Sequence, residues 1–192
     1  MKLVRSALVV AAAMTVPLVP TAAHADKYVA SDALHDVAKL DGTTATLQPD
    51  RTEGDIVRSS VRHRAKRVIL TMRFSELSAV GLGDLHLFAI RSDKLNRLIV
   101  VDTGPDHWGG KVFVEKPNGK KVKGCSVRRT IDYAGNTATV SVPRSCLGKP
   151  RWVKVAMQHG TFVTQDDLYV DDARATGLDA AASFHYGPRV YR

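Results

Sequence analysis

Arg67-Val68-Ile69-Leu70-Thr71-Met72-Arg73-Phe74 decides the fold class. Val68, Leu70, Met72 and Phe74 alternate with Arg67, Ile69, Thr71 and Arg73. That is a period of two with one apolar face, the pattern of a strand that buries one side against a core. Asp55 to His63 carries a weaker strand pattern before it, and His63-Arg64-Ala65-Lys66 reads as the turn between them. Farther along, Leu85 to Arg91 and Arg97 to Asp102 predict a second hairpin. Both are apolar at alternate and intervening positions, which places them centrally in a sheet. Val112 to Lys116 and Lys120 to Lys123 flank Pro117-Asn118-Gly119, and Asn-Gly is a strong short hairpin signal. Trp152 to Met157, Leu168 to Val170 and Asp36 to Leu40 complete the main strands. Helix signals are limited to single turns at Ser75-Glu76-Leu77 and Asp179 to Ser183. About nine or ten short strands predict an all-β chain, one antiparallel β-sandwich or jelly-roll-like domain over residues 26–192.

The first 25 residues read differently. Lys2 and Arg5 precede the apolar run Ala7 to Val19, which is too short to span a bilayer, and Ala23-His24-Ala25 follows with small residues. This order is that of a secretory signal peptide cleaved after Ala25, and it predicts an exported protein. Beyond it no apolar run approaches the length of a membrane span. Loss of the leader takes the formal charge from +9 to +7 over 167 residues. The composition, 44% hydrophobic and 24% charged, excludes a disordered or collagen-like chain.

Export predicts that Cys125 and Cys146 are oxidised. Between them, Val127 to Tyr133 and Ala138 to Val142 flank Gly135-Asn136, a favoured two-residue hairpin loop. A hairpin centred there pairs Tyr133 with Ala138, Ile131 with Val140, Arg129 with Val142, and Cys125 with Cys146. These are non-hydrogen-bonded pairs, with Cα atoms about 4.5 Å apart, inside the disulfide range. Pro143 falls opposite Arg128 and has no N–H to donate, so the ladder breaks there.

Several groups are candidates for chemistry. Asp106-His107-Trp108-Gly109-Gly110 offers an aromatic platform for a sugar ring, with His107 and Asp106 to orient hydroxyls. Lys116, Lys120, Lys121 and Lys123 lie in the most basic region. Between Lys111 and Lys154 eleven Lys/Arg stand against Glu115 and Asp132. Such a strip attracts polyanions, but little aromatic interleaving supports nucleic-acid stacking. Asp166, Asp167, Asp171 and Asp172 bracket a short strand and could supply oxygens to calcium, with Asp50, Glu53 and Asp55 as a looser second group. Leu98-Ile99-Val100-Val101-Asp102-Thr103-Gly104 resembles the aspartic-protease element. That chemistry needs two carboxylates sharing a proton, and the chain carries one copy. Six histidines beyond the leader (His35, His63, His86, His107, His159 and His185) match no metalloprotease spacing.

Two stretches resemble small exported proteins of unknown function from actinobacteria. One is Arg51-Thr52-Glu53-Gly54-Asp55-Ile56 with the Val61-x-His63 strand and the Phe74-x-x-Leu77 turn. The other is Val142-Pro143-Arg144-Ser145-Cys146-Leu147-Gly148-Lys149-Pro150-Arg151-Trp152-Val153 with Gly187-Pro188-Arg189-Val190. The resemblance covers most of the mature chain. It implies secretion and a disulfide-pinned sandwich, and it transfers no active residues. The resulting expectation is a secreted monomer, a non-catalytic binding module for a glycan or anionic cell-wall polymer, with no cofactor unless calcium. The alternatives are a hydrolase using Asp102 or a His/Asp cluster, and a protein-interaction or inhibitor module.

Overall fold

A computed structural model describes residues 26–42, 44–181 and 183–192. The predicted leader, residues 1–25, lies outside the described residues. Thirteen strands run as β1 (Lys27–Ser31), β2 (Ala38–Asp41), β3 (Thr44–Leu47), β4 (Ile56–His63), β5 (Arg67–Phe74), β6 (Gly83–Ser92), β7 (Arg97–Asp102), β8 (Lys111–Glu115), β9 (Arg128–Asp132), β10 (Thr137–Pro143), β11 (Trp152–Phe162), β12 (Leu168–Asp172) and β13 (Val190–Tyr191). Among the described residues two short 3₁₀ turns, Arg144–Leu147 and Gly177–Ala181, supply the helical content. No helix among the described residues is long and apolar enough to cross a membrane.

The strands form two antiparallel sheets. One has the order β1-β4-β5-β10-β9; the other has β3-β2-β12-β11-β6-β7-β8, with β13 paired to β11. Their inner faces close on one apolar cluster. Val61, Val68, Leu70, Met72, Val140 and Val142 come from the first sheet, and Phe88, Ile90, Ile99, Val101, Val155 and Met157 from the second. The all-β sandwich expected from the alternation in Arg67–Phe74 is what forms, and β5 lies in the middle of its sheet.

The β9–β10 hairpin differs from its predicted register. Ile131 pairs with Ala138 and Arg129 with Val140, so the loop holds four residues, Tyr133 to Asn136, instead of two. The cause is local. Asp132 Oδ1 accepts the Gly135 amide at 2.9 Å, and a Cβ on Gly135 would meet the Asp132 carboxylate at 2.5 Å. Asn136 adopts a positive φ of 51° and its side chain turns away to the neighbouring 75–77 turn. There its Oδ1 accepts the Leu77 amide at 3.1 Å and its Nδ2 donates to the Ser75 carbonyl at 3.2 Å. A shift of two residues preserves which side chains face the core, so the inward set survives.

Cys125 and Cys146 are bonded, with Cα atoms 5.5 Å apart. The bridge joins the segment before β9 to the 3₁₀ turn after β10, beyond the last paired residues, Ser141 and Arg128. Pro143 pairs instead with Arg67 at the end of the β5 ladder. Closing this loop restricts the unfolded chain by about 3 kcal/mol in the chain-entropy model. The paired variant Cys125→Ala/Cys146→Ala is therefore expected to unfold at lower urea, with a slope no shallower than the parent's because its unfolded chain is no longer cross-linked, reporting a loss of about 3 kcal/mol. An unchanged midpoint would show that the bridge adds nothing.

Candidate functional site

Two concavities lie against the larger sheet, one at the Trp152 end of β11 and one over β6 and β7. Val153, Val155, Ile90, Ile99 and Val114 point into the core. Alternation therefore sends Trp152, Lys154, Arg91, Leu98 and Glu115 outward. Register sets Trp152 beside Tyr191, Lys154 across from Arg91, and Leu98 across from both Ala89 and Glu115. A concavity of about 480 Å³ is lined by Arg144, Arg151, Trp152, Arg189, Tyr191 and Arg192. A second, of about 350 Å³, includes Arg91, Arg97, Lys116, Glu115, Phe184 and Tyr186 in its lining.

Aromatic rings hold the guanidinium groups in both. Arg189 lies over the Trp152 ring at 4.5 Å and Arg91 over the Tyr186 ring at 4.1 Å. Such stacking restrains a cation while leaving its N–H edge able to donate. Arg144 is committed inward: its Nε donates to His63 Nε2 at 3.1 Å, and its other nitrogens donate to the Ala65 and Pro150 carbonyls. Arg151 pairs with Asp93 at 3.1 Å. Glu115 and Asp93 are thus the acids beside these cations.

The residues chosen from the sequence separate into two places. Lys116 lines the second concavity, and Lys120, Lys121 and Lys123 are exposed nearby on the chain; Lys121 sits over Phe113 at 4.4 Å. Trp108 is half-buried and meets Tyr133 edge-on at 6.2 Å, and its carbonyl accepts the Tyr133 hydroxyl at 3.0 Å. Arg129 ties the same loop down by donating to the Gly109 and Gly110 carbonyls. His107 Nε2 approaches Asp102 Oδ2 at 3.3 Å, and Asp106 is exposed.

The four aspartates proposed for calcium do not meet. Asp166 is exposed, and Asp167 forms an ion pair with Lys39 and accepts the Thr164 hydroxyl. Asp171 and Asp172 are fully buried but point opposite ways along β12, because Asp171 registers with His159 and Asp172 with Gln158. Asp172 caps the following turn, accepting the Arg174, Ala175 and His185 amides. Asp171 instead joins Asp36 and Asp55, whose oxygens lie within 4.8 Å of one another. Of the looser group, Asp55 reaches this cluster, while Glu53 accepts the Ser78 amide and hydroxyl and Asp50 is exposed. Reading β12 with its alternation would have separated Asp171 from Asp172; nothing local in the sequence signals Asp36.

Burial raises every member of this cluster that shifts. Asp171 is pushed up to about 8 by burial first, then by Asp36 and Asp55. Asp32, in the loop after β1, is pushed up to about 8 by burial, then by Asp171 and Asp36. Burial raises Asp36 as well, although the Gly177 and Asp36 amides oppose it without closing a hydrogen bond of normal geometry.

A His/Asp cluster does form, but it is sealed. His159 Nδ1 lies 3.1 Å from His86 Nδ1, and His159 Nε2 lies 2.9 Å from Thr161 Oγ1 and 3.7 Å from Asp84 Oδ1. His86, Asp84 and His159 are 0%, 1% and 2% exposed, with Phe74 packed against both rings. Gly54 makes room for it: a Cβ there would meet the His159 ring at 2.8 Å. The arrangement holds polar groups in the core and offers no substrate access. Burial pushes His86 down to about 3 and His159 well below its usual value, where the His86 and Arg51 charges add to the effect. Both rings are neutral when folded, whereas the unfolded chain protonates them near 6.5.

Stability is therefore lost as pH falls through 6.5, by up to about 1.4 kcal/mol per pH unit for each ring. Asp84 is pushed up to about 6 by burial, so its contribution runs the other way and offsets one ring between roughly pH 4 and 6. Urea titrations from pH 7 to 5 are expected to show His86→Leu with a slope against pH shallower by about one proton, whatever its absolute stability. A slope equal to that of the parent would contradict buried neutral imidazoles.

Comparison of the chain with protein-family models, with curated proteins and with solved structures finds no match in any of the three.

Proposed function

We propose that the chain is an exported, monomeric, non-catalytic binding module for an anionic glycan or wall polymer. The ligand lies across the outer face of the larger sheet. The observation that carries the reading is the pair of stacked cations, Arg189 on Trp152 and Arg91 on Tyr186, each lining a concavity against the larger sheet, near the facing pair Lys154 and Arg91. Carboxylate, sulfate or phosphate groups along a polymer would accept from the guanidinium edges, while the half-buried rings and Leu98 meet the sugar faces. Lys154, Arg97 and Lys116 extend the positive surface between and beyond these points. Export rests on the order of charge, apolar run and Ala-x-Ala in residues 1–25 and on the resemblance to small exported actinobacterial proteins. The disulfide is consistent with an oxidising compartment.

Calorimetry with dextran sulfate against neutral dextran tests the binding face. Dextran sulfate should bind, dextran should not, and affinity should fall as salt screens the charges. Arg91→Ala with Arg189→Ala should weaken binding by roughly tenfold. Trp108→Ala and Lys120→Ala/Lys121→Ala should leave it unchanged. Equal binding by the double arginine variant, or loss only in the Trp108→Ala variant, would remove the outer face from consideration. Export has its own test: N-terminal sequencing of protein from the medium should begin at Asp26, and product retaining residues 1–25 inside the cell would overturn it.

A further inference from the structure

We propose that Asp36, Asp55 and Asp171 form a calcium site that clamps the two sheets together at one end of the sandwich. The three side chains arrive from separate places. Asp36 precedes β2 and Asp171 lies in β12, both strands of the larger sheet, while Asp55 immediately precedes β4 of the smaller one. All are buried, at 6%, 0% and 0% exposure for Asp36, Asp55 and Asp171.

Their spare oxygens point to a ligand. Asp171 Oδ2 accepts the Ile56 amide at 2.6 Å, and Asp55 Oδ2 accepts the Ser75 hydroxyl at 2.9 Å and the His35 amide at 3.3 Å. That leaves Asp171 Oδ1, Asp55 Oδ1 and both Asp36 oxygens buried without a hydrogen-bond partner. The Asp32 carboxylate stands beside them and adds another such oxygen, its Oδ2. The neighbouring charges that act most strongly on Asp32, Asp36 and Asp171 are those of other carboxylates. Asp172 and His185 pair with each other at the edge of the group, and His35 turns its ring to the Pro49 carbonyl. A buried carboxylate cluster with unfilled acceptors is electrostatically costly when ionised; protons relieve that cost in the free chain, and a cation would relieve it by displacing them.

The spacing admits one shared ion and the donor chemistry narrows which. One oxygen from each of the three lies within 4.8 Å of the others, close enough for a single cation to touch all three. Three ligands so spaced can share one ion. The donors are all oxygens, with no cysteine or imidazole nitrogen among them, which suits a hard cation and not zinc. Water can fill the remaining positions of a six- to eight-fold shell. Because Asp55 belongs to one sheet and Asp36 and Asp171 to the other, ion binding stabilises the closed sandwich directly. The site lies apart from the outer face, and its occupation and polymer binding are separate events.

The test is calorimetry and thermal melting of the purified chain in chelator-treated buffer, titrated with calcium chloride and, for comparison, magnesium chloride. One calcium per chain should bind and raise the melting temperature by several degrees. Asp36→Asn should weaken calcium by roughly tenfold or more. Without calcium the same variant should melt no lower than the parent, because it loses a repelling charge and no hydrogen bond. Asp55→Asn is the second variant, and Asp166→Asn, at an exposed position, should match the parent. Absence of heat and of any melting shift at millimolar calcium would overturn the site. So would an undiminished calcium response in both Asp36→Asn and Asp55→Asn, or a loss confined to Asp166→Asn.

Discussion

The closure of two sheets on a single apolar layer is the constraint from which the remaining features follow. Leu70, Met72 and Val140 on one side and Phe88, Ile90 and Val155 on the other are almost wholly removed from water. Each large aliphatic side chain so buried contributes about 1.5–3 kcal/mol. This layer fixes which residue of every strand points inward. It therefore fixes which residues remain for the two outer faces, and it determines where a polar group in the wrong register becomes expensive.

Polar groups do enter the core, and they do so in a band. His86, His159 and Asp171 occupy one inward row across β6, β11 and β12. Asp84 and Thr161 sit close to that row, and Asp55 enters from the opposite sheet. Other buried polar groups are satisfied within the protein: His63 uses both ring nitrogens, on the Val190 carbonyl and on Arg144, and Asp172 accepts three amides. Asp36 and Asp171 are not. Satisfied groups fix the geometry of the fold, whereas unsatisfied carboxylates store electrostatic energy that a cation releases. The sealed histidine pair also leaves a buried atom, His86 Nε2, without a partner, but an imidazole nitrogen is a poor donor for a hard cation, whereas the proposed calcium clamp gathers only oxygens.

Much of the architecture was legible in local pattern. The strands at 67–74 and 97–102 have the predicted limits, and Cys125 and Cys146 bond as expected. The β9–β10 register was not legible, because the choice between a two-residue and a four-residue loop depends on Asp132 and on Asn136 bonding to a distant turn. Strand β3 and the short β13 carry too little periodicity to stand out. Of the face proposed to bind a polymer, only Lys116 was singled out by the sequence. Arg91, Arg189 and Trp152 are scattered in sequence and meet because β6, β11 and the C-terminal segment lie side by side.

The sequence by itself determined the fold class, the inward face of the main strands and the cysteine pair, because alternation and burial are local properties that survive a two-residue slip in pairing. Which charges end up together was decided by the tertiary structure. Asp36, Asp55 and Asp171 converge across 135 positions of chain, and their neighbours Asp167 and Asp172 are drawn off by Lys39 and by backbone amides. Electrostatic interaction falls with distance in space and not along the chain, so an acidic cluster assembled from three strand ends leaves no local trace to read.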